Sequence, residues 1–221
     1  MSRLLDLARE DGWPQVLPRA LASLSHRLRD SFTASKLHAP NFRAGRSPRL
    51  LGLAHMRIGR NFSAGDHLWL EAVTTYAGQP HFPQLLIGDD ANLSDSVHIA
   101  CLHRIHVADG LLAGSNVLIS DHTHGIYSGP GQSPLDTPPA QRPLHSSGEV
   151  TIGRNVWLGD GVCVLAGATI GDGAIIGANS IVRGPIPPAT IAVGAPARVV
   201  RHWDQALQQW VKPTLLDRLT S

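Results

Sequence analysis

The sequence predicts an all-β solenoid in which short parallel strands wind into stacked triangular coils. The main observation is a six-residue beat of apolar side chains, a period that fits neither a helix nor a plain alternating strand. From Thr151 the chain reads TIGRNV WLGDGV CVLAGA TIGDGA IIGANS IVRGPI, and every sixth residue is apolar: Ile152, Leu158, Val164, Ile170, Ile176 and Val182. Glycine follows four of those six, as Gly153, Gly159, Gly171 and Gly177. Four residues after each beat stand Val156, Val162, Ala168, Ala174, Ser180 and Ile186, mostly small. Such a unit is a short strand plus a turn, with one large side chain inward and glycine where the backbone bends. Three units close a coil, and stacked coils bury a continuous apolar axis.

Residues 1–48 precede the regular array and are expected to cap it. From Pro18, Leu21, Leu24, Leu28 and Phe32 fall at helical spacing, with Arg19, Arg27 and Asp30 off that line. One reading packs this helix on the open end of the solenoid, and the other lays a basic amphipathic segment against a membrane.

Residues 49–200 are expected to form the solenoid. Ile58, Ala64 and Leu70 mark an early coil, interrupted by the insertion YAGQPHFPQ. Ile87, Leu93 and Ile99 resume the beat, and after a two-residue slip Val107, Ala113 and Ile119 continue it. At about 121–147 the chain makes an excursion rich in glycine and proline, opening with SDHTHGIYSGPGQS, before EVTIG restores the register. In residues 201–221, Trp203, Leu207, Trp210 and Val211 predict a short amphipathic helix that Pro213 stops.

The bulk composition excludes several classes. Of 221 residues, 43% are apolar and 16% charged, so the chain is a folded one, and a net charge of +2 gives no argument for nucleic acid. No stretch reaches the roughly 18 apolar residues of a membrane span. The charged N-terminus carries no signal-peptide pattern, so a cytoplasmic protein is expected, with peripheral membrane contact as an option. Cys101 and Cys163 lie inside apolar repeats and read as buried free thiols.

Two imidazoles stand where the rhythm breaks. Histidine, with an ordinary pKa near 6.5, is a natural general base at neutral pH. Ile119 points inward, Thr123 takes the small slot four residues later, and His122 and His124 flank it pointing outward. Asp121 either orients an imidazole or is a turn residue. His145, at the return of the excursion, is an outlying candidate.

The repeat array, the ending SIVRGPIPPATIAVGAPARVVRHW and the combination SDHTHGIYS…RPLHSSGEVTIGRNVWLGDGV resemble the hexapeptide-repeat acyltransferases, most closely the bacterial lipopolysaccharide and exopolysaccharide O-acetyltransferases. The resemblance runs from Ile58 to about Arg201. It implies a left-handed parallel β-helix, a homotrimer with sites between subunits, and direct acetyl transfer from acetyl-CoA without a metal. The implied acceptor is a nucleotide sugar, a lipid-linked sugar or a polysaccharide. In the galactoside, maltose and nodulation sugar acetyltransferases the catalytic histidine follows the small slot, a match to His124, with His122 second. The groups facing coenzyme A match Asp160, Ala178, Arg183, Arg198 and Arg201, and Trp157 in NVWLG either lines the same groove or packs in the core. Arg183 departs from the family pattern, which has a small hydroxyl residue there. Arg198 and Arg201 suit phosphate, since guanidinium forks bind its oxygens in pairs. Glu71, Asn92 and Ser94, with Asp95 and His98 nearby, fall where the family contacts its sugar. Two other functions fit the fold: a zinc enzyme like the γ-class carbonic anhydrases, drawing on His98, His103, His106, His122 and His124, and a non-catalytic trimeric scaffold.

Overall fold

The computed structural model describes residues 25 and 27–213. The chain is a left-handed parallel β-helix whose coils contribute one strand to each of three sheets, here faces A, B and C. One full coil runs through Arg104–Val107 on face C, Leu112–Ala113 on face A and Leu118–Ser120 on face B. The inward beat residues stack in register. On face B the column is Leu50, Leu70, Ile99, Ile119, Val164 and Val182. From Leu70 onward every member of this column is buried, and a buried side chain of this size contributes roughly 1.5–3 kcal/mol.

The glycines after the beat serve close approach rather than unusual backbone angles. A Cβ on Gly45, Gly59, Gly65, Gly88, Gly114 or Gly153 would come within 2.5 Å of Oδ1 of Asp66, Asp89, Asp95, Asp109, Asp160 or Asp172 on the next coil. In each case that same oxygen accepts the backbone N–H of the residue after the glycine, at 2.6–2.9 Å. The second turn residue, such as Asn61, Asn116, Asn155 or Asn179, is the one in the left-handed region, which asparagine tolerates. All six carboxylate-on-glycine contacts lie at the A–B and C–A corners. The B–C corner is where the chain departs, first as a hairpin (Thr75–Tyr76 with Gln79–Pro80) and later as the long excursion.

Both ends differ from expectation. The first coil strand is Arg43–Ala44, paired in parallel with Ser63–Ala64, so the solenoid begins six residues before the expected position 49. Residues 27–37 are helical, but Leu28 and Phe32 face outward while Thr33 and Leu37 are buried. Apolar spacing picked out the wrong stripe, because the buried face uses a threonine and joins Ala39 and Phe42 beyond the helix. Pro18, Leu21 and Leu24 lie outside the described residues.

The expected C-terminal helix is a hairpin. Ala197–Asp204 runs antiparallel to Thr190–Gly194, and Gln209–Val211 pairs back on it. Trp203 and Trp210 meet across this hairpin with ring centroids 5.4 Å apart, so their spacing reflects cross-strand pairing. Asp204 Oδ1 accepts the N–H groups of Ala206 and Leu207 and closes the turn.

Gly153→Ala places a methyl 2.4 Å from Asp172 Oδ1 and 2.7 Å from a backbone nitrogen. It should cost about 1–3 kcal/mol, read as a lower melting temperature. Adding Asp172→Ala should recover only part of that, since the backbone contact remains, and a double-mutant cycle checks the coupling.

Candidate active site

Three successive B–C corners stack along one edge of the solenoid: residues 73–83, residues 102–103 and residues 121–149. The middle corner is short, and the insertions on either side of it meet over it.

Asp121 sits at the root of the long excursion and is fully buried. Its carboxylate accepts the backbone N–H groups of Leu102, His103 and Arg104, each at 2.7 Å. His122 Nδ1 donates to the same carboxylate at 3.0 Å. Burial pushes the Asp121 carboxyl up, but the His122 hydrogen bond and the backbone donors outweigh it and hold the group below the usual carboxylate range. Burial and the nearby Asp121 charge push the Cys101 thiol up to about 12, which makes it an inert core residue. Asp121 is therefore both a turn residue and the group that orients an imidazole.

The structure corrects the expected register of the two histidines. The inward series ends at Asp121, and Thr123 is exposed on a separate antiparallel ladder with Leu144–His145. His122 does not point outward: its side chain is only 12% exposed and turned onto Asp121. His124 is exposed.

His124 is fastened from the other insertion. Tyr76 Oη donates its one proton to the Ala140 carbonyl at 2.7 Å. It can then only accept from His124 Nδ1, 3.1 Å away, which puts the imidazole proton on Nδ1 and leaves Nε2 with its lone pair. The rings meet edge to face, with centroids 5.2 Å apart. Tyr127 Oη donates to the His124 carbonyl and accepts from Arg142 Nη1 at 2.9 Å. Among the described residues neither His122 Nε2 nor His124 Nε2 has a hydrogen-bond partner.

Sequence reasoning missed Tyr76, which lies 48 positions before His124. The only signal was that the hexad beat broke there too.

The remaining candidates divide between edges of the solenoid. Glu71 is on face B, in register through Ala100 with Ser120, at the edge that carries the histidines. His98, one column over, stacks on Trp69 at 3.9 Å, and burial lowers its pKa against the opposing pull of Glu71. Arg183 lies at the B–C corner near the C-terminal end, where it and Arg198 line one cavity of about 420 Å³. Arg201 donates to the Trp210 carbonyl at 3.2 Å. Asn92 and Trp157 share a register column on face A, and Ser94, Asp160 and Ala178 lie at the A–B corner. Asp160 is also one of the corner carboxylates, holding the Ser115 N–H at 2.6 Å. One chain thus brings Asp121, His122, His124 and Glu71 to one edge, and Arg183 with Arg198 to one cavity. It does not bring either group to Asn92, Ser94, Trp157, Asp160 or Ala178. Among the described residues no three His, Cys, Asp or Glu side chains are grouped as metal ligands would be. No helix among them is long and apolar enough to cross a membrane.

Residues 149–184 match the family model for the bacterial transferase hexapeptide, six repeats. The chain is 38% identical over 159 residues to WbbJ of Escherichia coli (strain K12), a protein named for O-acetyl transfer in lipopolysaccharide biosynthesis. That match covers 71% of this chain and 76% of the relative. It is 35% identical over 131 residues to the galactoside O-acetyltransferase of the same strain, covering 52% of this chain and 63% of that one. Among solved structures it is similar to a galactoside acetyltransferase in complex with coenzyme A, at TM-score 0.51 and 26% identity, over 80% of this chain and 71% of the other.

Asp121→Ala leaves three N–H groups without their acceptor, of which the buried Leu102 N–H alone costs about 1–3 kcal/mol, and should lower the melting temperature at pH 7. Because the folded-state pKa is depressed, the contribution of Asp121 is fully present above the unfolded value near 4 and is lost as pH falls through the folded value. The gap between wild type and variant, followed by thermal melts, should therefore close only in acid.

Proposed function

Because the chain belongs to the hexapeptide-repeat acetyltransferases, we propose that it moves acetyl from acetyl-CoA to a saccharide hydroxyl on the way to a surface polysaccharide, with His124 as general base. The observation that carries this reading is the Tyr76 contact. An imidazole whose Nδ1 proton is held by a phenol already committed to a carbonyl has Nε2 ready to take a proton, on an exposed edge that substrate can reach. The fully buried Asp121 and its four N–H donors favour a supporting part for His122, tying the root of the excursion to the corner below.

In the proposed reaction Nε2 of His124 takes the acceptor hydroxyl proton as the oxygen attacks the acetyl carbonyl carbon. The carbon–sulfur bond then breaks, and the coenzyme A thiolate leaves with the proton returned by the imidazolium. No covalent enzyme intermediate is needed. The guanidinium groups of Arg183 and Arg198 around one cavity fit the phosphates of coenzyme A, and the name of the coenzyme A-bound neighbour supports that co-substrate. The acceptor class rests on the names of the two Escherichia coli relatives.

Trp157 and Leu112 leave apolar surface exposed on face A, away from the histidine edge. A second copy covering that face could bring Trp157, Asp160, Ala178, Asn92 and Ser94 toward the histidine edge of its neighbour. We read the working unit as a homotrimer with sites between subunits, cytoplasmic and in peripheral contact with the membrane where the acceptor is lipid-linked.

Thiol release from acetyl-CoA with simple glycosides as acceptors tests the assignment. His124→Ala should lose about 10²- to 10⁴-fold in rate, and His122→Ala less. The reverse order would move the base to His122, and loss in neither variant would favour the scaffold reading.

A further inference from the structure

The B–C edge holds a cavity of about 600 Å³, within the range of small-ligand sites, walled by both insertions and the short corner between them. We propose that this cavity is the acceptor subsite and takes a neutral pyranose ring; the inference rests on the acetyltransferase reading and names its acceptor-binding residues.

Four features of the wall point to a sugar. Phe82, just after the first insertion's second strand, leaves 79% of its surface exposed at the cavity, a cost in water that an apolar ring face laid on it would offset. His81 beside it keeps Nε2 buried with no hydrogen-bond partner. Across the cavity Glu149 stands 3.7 Å from His103 Nε2 and 3.8 Å from Arg104 Nε, contacts long enough to leave its oxygens free to accept from hydroxyls. Ser146 and Ser147 add two more hydroxyl-bonding groups. The carboxylate would repel a phosphate, so an uncharged part of the acceptor is favoured.

The cavity is also tied to the histidines by the chain. His103 on its floor gives its backbone N–H to Asp121, which holds His122. Ser146 directly follows His145, the ladder partner of Thr123, one residue from His124. The first insertion supplies both Phe82 to the cavity and Tyr76 to His124.

Saturation-transfer NMR on the full chain, with methyl β-galactopyranoside and methyl α-glucopyranoside as probes, tests this without requiring turnover. Wild type should saturate the ring protons of at least one probe. Phe82→Ala and Glu149→Gln should each weaken that binding about tenfold, the loss of one stacking or charge-assisted contact. Phe82→Leu keeps apolar bulk and controls for misfolding, which thermal melts report. It should lose binding while melting like wild type. No signal from wild type, or full signal in the Phe82 and Glu149 variants, overturns the subsite. Signals as expected with no acetyl transfer would leave the subsite standing and remove the enzymatic reading instead.

Discussion

Six turns at two of the three corners of this solenoid are held by one repeated contact, a turn aspartate whose oxygen fills the Cβ space of a glycine one coil away and takes the next backbone N–H. The contact is intolerant on both sides. Any side chain on the glycine would push the carboxylate out, and losing the carboxylate would hand the N–H back to water. Corners built this way have no room for insertions. Variation is confined to the third corner, and there both departures occur.

At that third corner Asp121 does a related job with a different geometry. Its carboxylate takes three consecutive N–H groups from the coil before it, and it also takes His122 Nδ1 and, at 3.8 Å, the Cys101 thiol. The same group that stops the short corner from fraying therefore fixes the start of the excursion and the ring beside it. A fully buried carboxylate is costly unless it is hydrogen-bonded, and three bonds of 2.7 Å meet that need. Because the corner and the excursion share this carboxylate, the candidate site is anchored on the rigid array even though its residues lie in irregular chain.

The architecture was legible because its cause is periodic: a beat of six survives in any window long enough to hold three units. The corner aspartates were visible too, in IGDD, AGDH, LGDG and IGDG, but a sequence does not say which coil they bond. Non-periodic contacts were not legible. Tyr76 reaches His124 only because two insertions on stacked corners lean together, and nothing local marks that pairing. Trp203, Leu207, Trp210 and Val211 fit a helical stripe and a tight hairpin equally well, and the open strand Thr190–Gly194 decided for the hairpin. His122 was expected outward because the beat was extended two residues too far, past Asp121.

The division between fixed and variable corners also separates the two halves of the proposed chemistry. The arginine-lined cavity near the C-terminal end is made from a plain corner at Arg183 and Gly184 and from the chain after Pro196, with no insertion in either. The Phe82 cavity is made almost wholly from insertions. Lengthening a surface loop costs little, growing only with the logarithm of its length, whereas changing a corner disturbs every coil stacked on it. On that proposal, a solenoid of this kind can exchange one acceptor for another by altering residues 73–83 and 121–149 while the proposed coenzyme end stays as it is. The Tyr76–His124 hydrogen bond limits that freedom: the two insertions can vary only in ways that still let the phenol meet the imidazole.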